Sequence, residues 1–373
     1  MDVHQAATDK QAAKPEAPKK PDFWSEIGAA LTSKDPLHEI ASAISTADIH
    51  RPSLSMFSSN DTTPPSAATV KAEQLNPSKI PAVTDPREAI VPGETTHLQM
   101  TVDGKTRDVY VHAPADYDPS KPMPMMVVFN GLGYGYNGMP GGAPGMEQFT
   151  QLGATASKDG YLVVYPQGDG IAHGFNNQQL PLDNDNDIKF TQQLVNTFSN
   201  DLNVDKSKIS FVGFSEGASF AHMAAAQMAG KVQAVVDVAG YRGNDAGSPT
   251  SPLSELSIHS AQDQTIPIQG NASDNSFVGT VEKWLGFQEN SQDATTNFYR
   301  HLDGTAAQPT NVTNIQSRGG ARSTETTYSN STNNTKVTEV KVPNLQHGWP
   351  GSSDSPNSFN ASALITDWLD KLK

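Results

Sequence analysis

The chain has 373 residues, with 26 basic and 40 acidic side chains and a net charge of −14. That surplus of negative charge disfavours general attraction to phosphate backbones and anionic lipid, so nucleic-acid binding is not expected. The absence of cysteine excludes disulfide scaffolds, cysteine zinc sites and thiol nucleophiles, and no apolar run approaches the ~18 residues that span a bilayer, so a soluble protein is expected.

Residues 1–95 hold eleven of the 26 prolines but only three aromatics, Phe23, Trp24 and Phe57, too few to assemble a core of their own. They read as a Pro-rich, largely disordered segment preceding a catalytic domain at 96–373. Within it, Ser25 to Ile44 carries Ile27, Leu31, Leu37, Ile40 and Ile44 at spacings that suggest two short amphipathic helices. These fit transient helices or a dock on the main domain better than a partner-binding motif, and they identify no protein partner. The lysines at 10, 14, 19 and 20 are followed by an apolar stretch too brief for a signal-peptide core, so no conventional export signal is read here.

From Thr96 the pattern changes. Leu98 to Val102 and Arg107 to His112 flank Asp103-Gly104, which predicts an antiparallel hairpin. Four apolar runs of the buried-strand kind follow, at 125–129, 162–165, 209–214 and 235–238, with room for helical crossovers between them. Helices are predicted over 187–198, 217–228 and 361–372. Residues 268–334 lack strong periodicity and read as a helix near Val281 to Phe287, then irregular loop down to a late hairpin around 326–342. The alternation predicts an α/β fold with a mostly parallel central sheet and helices on both faces.

The sharpest local signal is Gly213-Phe214-Ser215-Glu216-Gly217, between the strand at 209–214 and an alanine-rich helix. The string also occurs as an ordinary glycine-rich turn, but strand before and helix after are the context of a nucleophile elbow. A serine hydroxyl is a weak nucleophile at neutral pH and needs a histidine base oriented by a carboxylate, in the chain order Ser, acid, His for this fold class. Of the histidines after Ser215, His222 reads as packed or exposed on the elbow helix and His259 as a strand residue. His347, on a loop stiffened by Gly348 and Pro350, is favoured as base over His301. Asp263 lies on a loop just past the strand at 256–259 and is favoured as acid over Asp274 and Asp293.

An acyl-transfer site also needs backbone donors for the developing oxyanion. The amide of Glu216 and that of Leu132, in Asn130-Gly131-Leu132-Gly133-Tyr134-Gly135, are the candidates. That loop is a poor dinucleotide fingerprint, because Tyr136 stands where the third glycine should be. Asp183 to Asp187 resembles a calcium loop without its glycine and its final glutamate, so helix capping accounts for it better. No metal or organic cofactor is implied.

With these residues placed, the chain from about Thr96 resembles the secreted α/β-hydrolase esterases of the polyhydroxybutyrate depolymerase, feruloyl esterase and acetylxylan esterase group. The likeness runs through Val109 to Pro114, Tyr117-Asp118-Pro119, Pro124 to Gly131, Tyr165 to Gly168, Gly174-Phe175-Asn176, the elbow, Ser260 to Pro267 and, most specifically, His347-Gly348-Trp349-Pro350-Gly351. It implies Ser215 as nucleophile, Asp263 as acid and His347 as base, an ester substrate, either small or polymeric, and an extracellular location. Two departures stand out: Asn130 replaces the usual histidine of the oxyanion loop, and a carboxylate, Glu216, directly follows the nucleophile. Glu216 is therefore expected to point away or be paired. Asn130, Tyr134 and Trp349 are candidate substrate contacts.

The expectation is a serine carboxylester hydrolase working through an acyl-enzyme. The alternatives are a weakly active or non-catalytic binding protein on the same scaffold, and a serine peptidase or thioesterase.

Overall fold

Six neighbouring strands, β4 (Leu162–Pro166), β3 (Met123–Phe129), β5 (Val204–Phe214), β6 (Ala234–Val238), β7 (Ser254–Ser260) and β10 (Thr335–Val342), pair in parallel and form the centre of a ten-stranded sheet. The computed structural model describes residues 86–132, 141–170, 173–176, 186–271 and 289–372. These strands read as continuous apolar runs because both their faces are covered. Met125, Val127 and Phe129 enter one core, Met126 and Val128 the other.

One face is covered by α4 (Asp187–Asp201), α5 (Glu216–Gln227) and α6 (Gln292–Asp303), through Phe190, Phe198, Phe220 and Tyr299. The other is covered by α2 (Gly142–Thr150), α3 (Leu152–Ala156) and α7 (Ala361–Asp370), through Met146, Phe149, Leu152, Ile365 and Trp368. β1 (Thr95–Val102) and β2 (Lys105–His112) form the predicted hairpin, with Asp103 and Gly104 both at positive φ, as its two-residue turn requires. The mostly parallel α/β architecture read from the sequence is the architecture found.

Three differences have physical reasons. Residues 292–303 are a helix, α6, where irregular loop was expected: its buried positions include Gln292, Thr295, Thr296 and Asp303, so no apolar stripe marks it. β8 (Asn311–Gln316) and β9 (Arg322–Asn330) continue the sheet past β10 as antiparallel strands, and β8 is almost wholly exposed and polar. The short helix α1 (Pro86–Ala89) and Ile90 pack on the domain, so its packing reaches back before the Thr96 boundary that composition suggests. The cap expected at the start of α4 is present, with Asn186 accepting from Lys189 N at 2.9 Å, while Asp187 is buried against Arg107. The helices expected within 25–44 and at 281–287 lie outside the described residues.

The layer between the sheet and α6 is polar. Glu255 of β7 is fully buried, neither carboxylate oxygen has a hydrogen-bond partner, and burial pushes its carboxyl well above the ordinary 4.5, reinforced by the charges of Asp237, Glu339 and Asp303. A carboxyl raised on folding holds its proton more tightly in the folded state. Its contribution is full below about pH 4.5 and is lost as pH rises toward the folded value. Glu255→Gln should therefore flatten the decline in stability as pH rises above about 4.5, by up to about 1.4 kcal/mol per pH unit. Urea unfolding at a series of pH values measures this, and parallel stability curves for the two proteins would contradict it.

Candidate active site

The order of the central strands reverses at β3, since β4 lies on one side of it and β5 on the other. A crevice opens at such a switch point, beyond the strands' carboxyl ends. Ser215 stands there, directly after β5, at φ 57° and ψ −127°. A serine at positive φ is strained, at a cost of about 1–3 kcal/mol, and its surroundings must hold it. Its amide donates to Val238 O and its carbonyl accepts from Ala218 N, both at 3.0 Å.

The elbow glycines are dictated by close approach. A Cβ on Gly213 would overlap Ala218 Cα and the Gly217 carbonyl, and one on Gly217 would overlap the carbonyls of Asn130 and Phe129. Gly131, on the loop after β3, lies against the serine itself: a Cβ there would sit 2.8 Å from Ser215 Cβ and 3.2 Å from Phe214 O. Leu132, partly buried, is the next residue of that loop.

His347 reaches Ser215 from the far side of the sheet. β7 and β10 pair in parallel with Ser260 abreast of Val342, so the loops carrying Asp263 and His347 leave the sheet side by side. They are stitched together, with Ser260 Oγ donating to Leu345 O and accepting from Leu345 N. His347 Nδ1 donates to Asp263 Oδ2 at 2.8 Å, and Ser215 Oγ donates to His347 Nε2 at 2.9 Å. The other oxygen, Asp263 Oδ1, accepts from the amides of Thr265 and Ile266, each at 2.9 Å. Burial alone would raise the Asp263 carboxyl, but the adjacent His259 imidazole and the hydrogen bond from His347 outweigh it and hold it well below the usual carboxylate range. A carboxylate ionised at neutral pH thus faces the imidazole and fixes its tautomer, with Nε2 as the acceptor turned toward Ser215.

The remaining candidates divide. Glu216 is buried and paired, accepting from Phe175 N at 3.5 Å. Asn130 is also buried, and its amide nitrogen donates to Gly131 O and His173 O, both at 2.9 Å. That makes it a brace for the loop, while its Oδ1 has no hydrogen-bond partner. Trp349 is 1% exposed. Its indole donates to Ser362 Oγ at 3.0 Å and packs edge-on to Phe214, anchoring the His347 loop to α7. Tyr134 and Asp274 lie outside the described residues. Asp293 pairs with Lys341 at the surface, and His301 is exposed on α6.

Two residues at the site were not among those the sequence singled out. His173, at φ 60°, supplies the carbonyl that Asn130 holds, and burial lowers its imidazole. His259 is correctly a strand residue, yet its Nε2 lies 3.5 Å from Asp263 Oδ2. Position 259 being four residues from 263 was the available clue.

The "Putative esterase" family model matches residues 101–349, a span that contains Ser215, Asp263 and His347. The chain belongs to this esterase family. It is 26% identical over 314 residues to "Putative esterase NocK" of Nocardia uniformis, covering 77% of this chain and 87% of that protein. It is 27% identical over 176 residues to feruloyl esterase C of Emericella nidulans, covering 46% of this chain and 61% of that protein. Among solved structures, an acetyl xylan esterase from Aspergillus awamori shares the fold at TM-score 0.51 and 12% identity, covering 75% of this chain and all of that one. The protein is an esterase built on the α/β-hydrolase fold. Among the described residues, no helix is long and apolar enough to cross a membrane.

The two glycines of the proposed oxyanion and base loops should respond oppositely to alanine. At Gly131 a methyl group meets the elbow, and a displacement of the order of an ångström between serine and loop should lower kcat/KM by about 100-fold. At Gly348 the nearest atoms to an added Cβ are 3.9 Å away, so Gly348→Ala should remain near the parent activity. Ester hydrolysis by the two variants, with circular dichroism as a check of folding, makes the comparison; equal activities would refute the steric account.

Proposed function

We propose that this esterase is a serine carboxylester hydrolase acting through an acyl-enzyme, with Ser215 as nucleophile, His347 as base and Asp263 as the acid that orients it. The observation carrying this reading is the unbroken chain of hydrogen bonds from Asp263 through His347 to Ser215 at 2.8 and 2.9 Å. As Ser215 Oγ attacks the ester carbonyl carbon, its proton passes to His347 Nε2, and the imidazolium formed is stabilised by the Asp263 carboxylate. The carbonyl oxygen becomes an oxyanion and accepts from the amides of Glu216 and Leu132. Collapse of the tetrahedral adduct breaks the bond to the alcohol, which leaves with the proton from His347. Water then adds to the acyl-enzyme by the same route and releases the acid and Ser215.

Acetyl and feruloyl esters of plant-wall polysaccharide are the favoured substrates, because relatives carry those activities in their names. Hydroxyalkanoate esters stand behind them on sequence resemblance alone. Like the secreted relatives in that resemblance, the enzyme would act outside the cell.

Ser215→Ala should lower turnover of a short-chain chromogenic ester by at least about 10⁴-fold, and Asp263→Asn by a comparable factor. A fluorophosphonate should label the peptide containing Ser215 and no other. Unchanged turnover in Ser215→Ala, or a label elsewhere, would refute the mechanism. A panel of acetyl, feruloyl, hydroxybutyrate, thioester and peptide substrates ranks the leaving groups.

A further inference from the structure

The acid of the proposed site is held by two imidazoles, of which the serine mechanism uses one. His259 is the penultimate residue of β7, on the face turned toward α6, and is 2% exposed. Its Nε2 donates to Ile266 O at 2.8 Å and lies 3.5 Å from Asp263 Oδ2, the oxygen that also accepts from His347. Its Nδ1 is buried without a hydrogen-bond partner.

Several polar groups on the elements around it are engaged elsewhere, while both carboxylate oxygens of Glu255 and Oε1 of Gln292 have no hydrogen-bond partner. Asp237 of β6 accepts from Gly240 N and pairs with His222. Lys341, abreast of His259 on β10, pairs with Asp293 and Glu339. Gln292 of α6 donates to Ser257 and Val340.

The Ile266 residue is the hinge of this arrangement. Its amide donates to Asp263 Oδ1 while its carbonyl accepts from His259. The turn from Asp263 to Ile266 is therefore clamped to a side chain rooted in the rigid centre of the sheet. Without that clamp, the loop would be held only near its start, by the Ser260 stitch, the Ala261 amide on Val342 O and Gln262 on Asn344, and Oδ2 could turn away from His347.

We propose, building on the serine mechanism above, that His259 is a positioning residue: its bond to Ile266 O and its contact with Asp263 fix the carboxylate rotamer that orients His347. The burial of His259 would lower its own imidazole, but its contact with Asp263 and the charges of Asp237 and Asp263 outweigh this and raise it. A proton on His259 Nε2, as donor to the carbonyl, fits that environment.

The test uses the full chain with His259→Leu, which removes the donor, and His259→Gln, which places an amide donor near Nε2. On an acetyl ester, Leu should lower kcat by about 10- to 100-fold with KM little changed, the signature of lost orientation rather than lost binding. Gln should restore kcat to within a few-fold of the parent. The low-field proton resonance of His347 Nδ1, donated to Asp263, should vanish in Leu and persist in Gln. If Leu fails to fold, His259→Asn, whose amide is too short to reach Ile266 O, is read in its place with the same expectation. Parent-like kcat or a persistent low-field resonance in Leu or Asn overturns the role, as does a folded Gln variant as slow as Leu. Ser215→Ala run alongside separates the two failures: if it remains active the serine mechanism falls, whereas an inactive Ser215→Ala beside unaffected His259 variants overturns only the positioning role.

Discussion

Parallel pairing puts the carboxyl ends of β5, β6, β7 and β10 along one edge of the sheet, and every feature of the candidate site depends on that alignment. Ser215 and Asp263 follow β5 and β7 directly, and His347 follows β10. A hydrogen-bond chain spanning 132 residues of sequence between Ser215 and His347 is thereby reduced to a matter of strand order and register. The register is fixed because both faces of each strand are buried. A slip by one residue would turn Met126, Val128, Val212 and Phe214 from one core into the other, against helices shaped for different partners.

That rigidity is also what sustains an unfavourable backbone at Ser215. The elbow is braced on several sides: by β6 through the bond to Val238, by Gly240 packed against the Ser215 carbonyl, and by the Gly131 loop lying on the serine. Asp237 fixes Gly240 through its amide and His222 of the elbow helix through its imidazole, and Tyr299 of α6 completes the series at 2.9 Å from His222. Polar groups that contribute little net stability when satisfied become costly when a partner is removed. A buried network of this kind specifies one arrangement of α5, β6 and α6 more sharply than apolar packing would. Glu255, buried without partners in the same layer, shows the opposite side of the balance.

Sequence signals were strongest where chemistry and packing agreed. The apolar runs of the parallel strands, the Asp103-Gly104 turn and the glycines around Ser215 each answer to a local requirement that only a few residue types satisfy. Signals failed where burial and polarity parted company. α6 buries Gln292, Thr295 and Thr296 and so has no apolar stripe to read, while β8 is a strand with no buried face. Trp349 illustrates the same ambiguity in reverse. An aromatic beside a candidate histidine can line a pocket or anchor a loop, and its contact with Ser362 was not visible in a linear string.

By itself, the sequence determined the class of fold, the identity of the candidate serine, acid and histidine, and their order along the chain, because each lies in a local pattern set by backbone sterics and strand burial. Tertiary structure alone decided that Asn130 braces a loop, that Trp349 belongs to the core and that a second histidine lies against Asp263. Those outcomes depend on which atoms from distant strands come within a few ångströms, and parallel pairing joins residues that no local periodicity relates.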